Sequence, residues 1–234
     1  ALNLSYQLSD SATLKLSYNQ NETESEYDNN CSVGSWPNSS PVDCNIYTVG
    51  QIDSLSAGVD FEINEQWHSS FQLGRTNDEA AEAADNIDLS TTGSGGEFNT
   101  QKTEATWVNN IFLGDQHTLT LGLDYLRDEV ASSTTYDEAK RDNEAAFAQY
   151  QIQLGGVDTN FGLRYDDNEQ FGDFTTASFL AGTNLTDNLR LIGSVSEGFK
   201  APTFNDLYYP GFGDPSFVPE ESTCLLYTSD AADE

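Results

Sequence analysis

The sequence predicts an all-β fold of consecutive antiparallel strands. Segments of about 8–14 residues alternate apolar and polar side chains with a period of two. Short turns alternate along the chain with long polar loops, so the short turns fall at one end of the predicted sheet and the long loops at the other. No run of about 18 apolar residues occurs, which excludes a transmembrane helix. Transmembrane β-strands are not excluded, because they alternate apolar and polar residues and are hydrophilic on average.

The alternating segments pair naturally as five hairpins. In chain order the strands are Ala1–Leu8 and Thr13–Asn19, Thr48–Asn64 and Trp67–Arg75, Thr100–Leu113 and Thr118–Arg127, Glu144–Leu154 and Asp158–Tyr165, and Phe174–Thr183 and Asn188–Ser196. The polar stretches Gln20–Tyr47 and Thr76–Asn99 are predicted to be long loops.

The two faces of these strands distinguish a membrane barrel from a soluble sandwich. The faces that carry Asp60, Glu62, Gln151, Gln153 and Arg164 suit a water-filled lumen. Soluble sandwiches also alternate, but they rarely place every short turn at one end. We therefore predict an antiparallel transmembrane β-barrel in which apolar rows face lipid and polar rows face the interior.

The composition limits the function. Of the 234 residues 37% are hydrophobic, the mean hydropathy is −0.53 and the formal net charge is −30. A chain this acidic is unsuited to nucleic-acid binding, which needs basic patches to meet phosphate. The acidic residues concentrate in predicted loops, where they indicate solvation or, alternatively, binding of divalent cations.

No catalytic constellation is visible, so we do not expect an enzyme. His68 and His117 lie in or beside predicted turns and have no cysteine or second histidine at ligand spacing. We interpret both as solvated. No nucleophile elbow or similar motif accompanies the serines and aspartates.

The most specific stretch follows the last predicted strand. Lys200-Ala201-Pro202 ends that strand, because proline removes a ladder donor, and an aromatic loop rich in glycine and proline follows. The sequence GFKAPTFNDLY, followed by GDPSFVPEES, resembles the signature of TonB-dependent outer-membrane receptors. The residues that carry it are Gly198, Phe199, Lys200, Ala201, Pro202, Leu207, Tyr208, Pro215, Pro219 and Glu220.

Within that family the chain most resembles receptors for vitamin B12 (cobalamin). The stretches Thr106–Ile111, Gly122–Tyr125 and Phe161–Phe174 carry this likeness. It implies a monomer in the bacterial outer membrane of Gram-negative cells, in contact with outer-membrane lipid and lipopolysaccharide. It also implies capture of cobalamin or another large metal chelate, followed by uptake driven by the partner protein TonB, with no covalently bound cofactor.

The resemblance implies a barrel of about 22 strands plugged by an N-terminal domain. Residues 1–222 are then a partial barrel of about ten strands, without the plug, the TonB-contacting segment or the C-terminal strands. Alone, this fragment is expected to be an open curved sheet with unpaired edges at Ala1–Leu8 and Asn188–Ser196. Residues 223–234 are predicted to be a non-native tail, because Cys224–Glu234 resembles a translated sequencing adapter.

Several loop residues are candidates for the binding site. Trp36, Tyr208, Tyr209 and Phe212 could contact a bulky planar ligand, or instead pack loops together or form a girdle at the membrane interface. Asp28 matches one position of the calcium-binding acidic loops that the resemblance implies, and an exposed acidic loop is the simpler alternative.

Cys31 and Cys44 flank a loop-like segment, and we predict that they form a disulfide, with two free thiols as the alternative.

Three functions follow in order of preference. The first is TonB-energised uptake of cobalamin, and the second is uptake of a ferric siderophore or haem by the same kind of receptor. The third is a passive porin or adhesin barrel, against which the Lys200-Ala201-Pro202 signature argues.

Overall fold

The computed structural model describes residues 1–33, 40–84, 96–186 and 188–231. These residues form one 11-stranded antiparallel sheet whose strands lie side by side in sequence order, as an open barrel segment. The elements are β1 (Leu2–Ser9), β2 (Ala12–Val33), β3 (Ser40–Asn64), β4 (Trp67–Ala84), β5 (Glu97–Phe112), β6 (His117–Ser132), β7 (Lys140–Leu154), β8 (Val157–Asn168), β9 (Gly172–Thr186), β10 (Leu189–Lys200), α1 (Phe204–Tyr208) and β11 (Glu220–Ala231). The all-β antiparallel prediction is confirmed.

The strand register separates an apolar face from a polar face. Phe71 lies opposite Trp107, which lies opposite Leu123, so these side chains form one continuous row across β4, β5 and β6. All three are exposed, Leu123 by 51%. The row one residue further along belongs to the other face and carries Thr106 opposite Asp124. An apolar face this exposed suits contact with lipid, as the alternation predicts.

The connections at one end of the sheet are short, and the longer connections lie at the other end together with the short β8–β9 connection, residues 169–171. The β7–β8 connection is the pair Gly155 and Gly156, whose φ angles of 61° and 84° suit the tight turn of a two-residue hairpin. We call this the tight-turn end. The connections β6–β7 and β10–β11 are longer and lie at the opposite, long-loop end.

Several strands extend further toward the long-loop end than predicted. β2 continues to Val33 and pairs with β3 as far as Val33↔Ser40, and β4 continues to Ala84. The prediction of loops throughout Gln20–Tyr47 and Thr76–Asn99 is therefore wrong for most of these stretches. The alternation fades there because both faces of the ribbon carry polar side chains, so the strand has no period that the sequence could reveal.

The predicted edge at Asn188–Ser196 is also wrong. β10 pairs with β11 along its whole length, from Leu189↔Ala231 to Lys200↔Glu220. Residues 223–231, which the sequence predicts to belong to a non-native tail, lie in β11, so the edges of the described sheet are β1 and β11. Across the described ranges, no helix combines the length and apolar character needed to cross a membrane.

The pairing of β9 with β10 ends before the long-loop end. Its last pair is Ser178↔Ser196. Beyond that point the Ala177 N–H donates to the Glu197 side chain at 3.1 Å, and the Phe174 and Phe199 rings stack at 4.2 Å. Side chains therefore replace the backbone ladder where the family signature begins.

Candidate extracellular binding site

The loop between β10 and β11, residues 201–219, folds into a compact unit that we call the cap. Its helix α1 begins after Thr203, whose hydroxyl accepts from the Asp206 N–H at 3.2 Å. The Asp206 carboxylate in turn accepts from the Thr203 N–H at 2.9 Å and from the Thr203 hydroxyl at 2.7 Å. This reciprocal capping satisfies donors at the start of the helix and lowers the pKa of Asp206.

One side of α1 is buried against the polar face of the sheet. Phe204 and Leu207 are its buried residues, 6% and 1% exposed. Phe204 packs with Val130 of β6 and Tyr136 of the β6–β7 loop. Val130 lies on the same face of β6 as Asp124, which is the polar face of the sheet. The cap therefore lies over the interior side of this sheet, which we call the wall.

Polar contacts fix the cap to its two neighbouring loops. The buried Tyr136 hydroxyl donates to Asn205 Oδ1, and burial raises the pKa of Tyr136. Arg141 donates to the Pro202 carbonyl at 3.0 Å, and its guanidinium lies 5.1 Å from the Phe204 ring centroid. These bonds join segments 61 and 69 positions apart in the sequence.

A third contact comes from the β8–β9 tip, where Gln170 donates to the Tyr208 hydroxyl at 2.5 Å. Within the cap, Gly213 packs closely against the backbone of Leu207 and Tyr209. A Cβ at Gly213 would come within 2.7 Å of the Leu207 backbone and 2.6 Å of the Tyr209 nitrogen, so only glycine fits. These contacts make the cap a unit of defined shape rather than an extended loop.

The cap presents an aromatic surface to solvent. Phe212 is 88% exposed and Tyr209 is 42% exposed, and their ring centroids lie 6.2 Å apart. Tyr209 also meets the buried Tyr136 ring edge-on at 6.4 Å. Tyr208 is instead packed into the cluster around Phe204. Of the predicted ligand contacts, Tyr209 and Phe212 are thus brought together, Tyr208 supports them, and Trp36 lies outside the described residues.

The signature residues divide between wall and cap. Gly198, Phe199 and Lys200 end β10, and Glu220 begins β11 opposite Lys200. Ala201 and Pro202 lead into α1, which contains Leu207 and Tyr208, and Pro215 and Pro219 lie in the second half of the cap. The signature therefore describes how the chain leaves the wall, forms the cap and returns.

The calcium and disulfide predictions fall where only the backbone is described. Asp28 lies in β2 opposite Asn45, and its side chain is outside the described part. Cys31 pairs with Val42, while Cys44 pairs with Asn29, and neither thiol is described. Among the described side chains, no three His, Cys, Asp or Glu residues come together as a metal site.

The histidine prediction is correct for one residue only. His68 is exposed and meets the Phe112 ring edge-on at 5.1 Å. His117 is half-buried, stacks on Tyr150 and has its Nδ1 3.0 Å from the tyrosine hydroxyl, so it is not simply solvated. The tyrosine lies 33 positions away, a separation that turn chemistry alone could not reveal.

The sequence did not identify an ion cluster on the polar face below the cap. Arg164 donates to Asp124 at 2.5 Å and to Asp166 at 2.9 Å, and Asp166 is only 3% exposed. Asn143 donates to the same Asp166 carboxylate at 2.9 Å. The period-two pattern places Arg164 and Asp124 on the polar faces of their strands, but only the register of β6, β7 and β8 brings them together.

Known proteins support this architecture. Residues 1–223 match the family described as "TonB dependent receptor-like, beta-barrel". The vitamin B12 transporter BtuB of Photobacterium profundum is 34% identical over 160 residues, which is 68% of this chain and 25% of that protein. The corresponding transporter of Vibrio vulnificus is 34% identical over 125 residues, covering 52% of this chain and 20% of that protein.

Solved structures show the same fold. The siderophore receptor PirA from Acinetobacter baumannii superposes with a TM-score of 0.70 at 14% identity, over 99% of this chain and 40% of that chain. The copper transporter OprC gives a TM-score of 0.71 at 13% identity, over 99% and 42%. This chain spans about a quarter of the length of the curated relatives it matches. It belongs to the TonB-dependent receptor β-barrel family, whose members are transporters of the bacterial outer membrane and not enzymes.

Proposed function

We propose that this chain forms part of the wall and one extracellular loop of a receptor for TonB-energised uptake of cobalamin. The observation that carries the proposal is the 34% identity, over 68% of this chain, to a protein named as a vitamin B12 transporter. The matched family region is the barrel, so plug movement and contact with TonB are assigned to segments outside it.

The cap supplies a surface suited to such a ligand. Cobalamin has a large flat ring system, and aromatic side chains offer large, rigid contact areas to such ligands. Tyr209 and Phe212 are exposed side by side on a support fixed by Tyr136. In this proposal the cap holds the ligand over the interior face before the plug moves.

A binding titration tests the ligand. The full-length receptor that carries this segment is titrated with cyanocobalamin and, in parallel, with ferric siderophores and haem. We expect saturable binding of cyanocobalamin. Binding of a ferric siderophore or haem alone would assign the receptor to the second function, and the family match already favours both over a passive porin or adhesin.

A cap variant tests the surface. Phe212→Ser removes the most exposed ring of the cap and should weaken cyanocobalamin binding about three- to tenfold. Val218→Ser is the matched control, because Val218 is an apolar residue of the same loop that is 74% exposed but is not aromatic. Equal affinities in both variants would remove the cap from the ligand site without changing the ligand assignment.

Calcium binding at Asp28 remains a second element of the proposal. Several hard oxygen ligands suit calcium, and Glu26 lies two residues before Asp28 in β2. Asp28→Asn should weaken calcium binding to the full-length receptor, measured by isothermal titration. An unchanged titration would leave the exposed acidic loop as the simpler interpretation.

A further inference from the structure

Arg141 lies near the start of β7, beneath the cap, and its half-buried guanidinium contacts two aromatic rings. The ring centroids of Phe204 in the cap and Phe171 at the β8–β9 tip are 5.1 Å and 5.6 Å from it. Its Nη1 donates to the Pro202 carbonyl at 3.0 Å and, at 3.4 Å, to Gln170 Oε1. These partners are all neutral, and Arg141 forms no salt bridge within the part of the chain that the structure describes.

A carboxylate that would neutralise Arg141 lies directly opposite it. Asp128 of β6 is paired with Arg141 in the strand register, and the Cβ atoms of such opposite residues are about 4.5–5.5 Å apart. The Oδ1 atom of Asp128 is buried and has no hydrogen-bond partner among the described residues. The Lys102 ammonium lies 3.5 Å from this oxygen without a hydrogen bond, and the Lys102 side chain is 59% exposed.

This unsatisfied oxygen needs an explanation, because buried polar atoms in folded proteins almost always have a partner. A cation with several free donors stands on the neighbouring strand, yet it is directed at the cap. The docked cap therefore keeps Arg141 away from Asp128.

The guanidinium can serve one side at a time. Rotation about its side-chain torsions would turn its donors toward the Asp128 carboxylate, which an arginine can engage with two parallel hydrogen bonds. The same rotation would take the guanidinium away from Pro202 and Phe204. Because cation–π contacts and charge-assisted hydrogen bonds are of comparable strength at half-buried sites, the two arrangements compete.

We propose that Arg141 is a positioning residue of the cap that exchanges partners. It holds the docked cap through Pro202 and Phe204, and it pairs with Asp128 when the cap leaves the wall. Asp128 thereby favours release, because its buried oxygen gains a partner only when Arg141 is free. The exchange also prevents a half-buried guanidinium from being left without contacts. It does not depend on which ligand the receptor transports.

Two variants of the full-length receptor with opposite expected effects test the exchange. Asp128→Asn keeps the shape of the side chain but removes the charge that attracts Arg141 after release, so hydrogen exchange of residues 203–209 should slow about threefold. Arg141→Gln removes the contacts that hold the docked cap, so the same exchange should become about threefold faster. Asp158→Asn is the matched control, because Asp158 belongs to the Arg190 pair near the tight-turn end and should leave this exchange unchanged.

The double variant separates partner exchange from a merely structural role. In the Arg141→Gln background, Asp128→Asn should have no further effect, because the residue that changes partner is missing. Unchanged or faster exchange in Asp128→Asn alone would overturn the proposal, and this arm decides the test even if Arg141→Gln does not fold. The same slowing with and without Arg141 would also overturn it, because the Asp128 charge would then act on the cap directly.

Discussion

The Tyr136 hydroxyl donates a hydrogen bond to the side chain of Asn205, across 69 positions of sequence. Tyr136 belongs to the loop between β6 and β7, and Asn205 belongs to α1 of the cap. Two loops that leave the wall four strands apart are therefore held as one unit. The exposed ring of Tyr209 rests on Tyr136, so the same contact links the support of the cap to its outer surface.

Tyr136→Phe should loosen the cap without removing its hydrophobic packing. The ring remains in the cluster with Phe204 and Val130, but Asn205 loses its donor, at a cost of about 1 kcal/mol. We expect faster hydrogen exchange of residues 203–209 in the full-length receptor, measured by mass spectrometry. Exchange unchanged there would show that packing alone holds the cap.

Gly213→Ala should disturb the cap more severely. The new Cβ would lie 2.6–2.7 Å from backbone atoms of Tyr209 and Leu207, which cannot move aside as a flexible side chain can. Gly193→Ala is the matched control, because nothing lies within 4 Å of its Cβ position. We expect increased proteolysis within residues 201–219 for the first variant only, and equal cleavage of both would contradict the packing around Gly213.

Acid should release the cap through Asp206. Capping by Thr203 lowers the pKa of Asp206 in the folded state below its ordinary value of 3.8. A lowered carboxyl pKa stabilises the fold at pH values above the ordinary pKa, and this contribution is lost as the pH falls through the folded-state pKa. A spin label at Val218→Cys should become more mobile below about pH 4. The same acid response in Asp206→Asn would assign it to another group.

Alkylation can determine the state of Cys31 and Cys44. The backbone register places them diagonally, because Cys31 faces Val42 and Cys44 faces Asn29. Cys224 is free and exposed, so we expect the mass shift of one thiol on alkylation of the oxidised protein and of three thiols after reduction. Three reactive thiols before reduction would establish the free-thiol alternative.

The strand segments with alternating apolar and polar side chains were predictable, and the strand extensions toward the long-loop end were not. Around Trp107 and Leu123 one face of the strands is apolar and the other is polar, so apolar and polar residues alternate in the sequence with a period of two. Between Asn21 and Glu26 all side chains are exposed to water, so the same backbone ladder leaves no periodic trace. Strand ends at the long-loop end are thus set by pairing with a neighbour rather than by local sequence.

The candidate site was predictable in composition but not in arrangement. The aromatic residues of the cap stand out in the sequence, yet five residues of α1 are too few to show a helical period. Which rings face outward depends on burial of Phe204 and Leu207 against a wall contributed by distant strands. Tyr208 and Tyr209 are neighbours in sequence, and only the packing of α1 separates a supporting ring from an exposed one.

The Arg164 cluster should contribute more to stability than a comparable ion pair nearer the tight-turn end. Arg164→Gln leaves the nearly buried Asp166 and its neighbour Asp124 without a countercharge, and we expect a loss of roughly 2 kcal/mol. Arg190→Gln is the matched control, because both members of the Arg190–Asp158 pair are 37% exposed and solvent screens them, so the loss should stay below about 1 kcal/mol. Thermal unfolding of the full-length receptor, followed by its heat-dependent mobility on gels, compares the two variants. Equal unfolding temperatures would mean that Asn143 and water compensate the Asp166 carboxylate without the arginine.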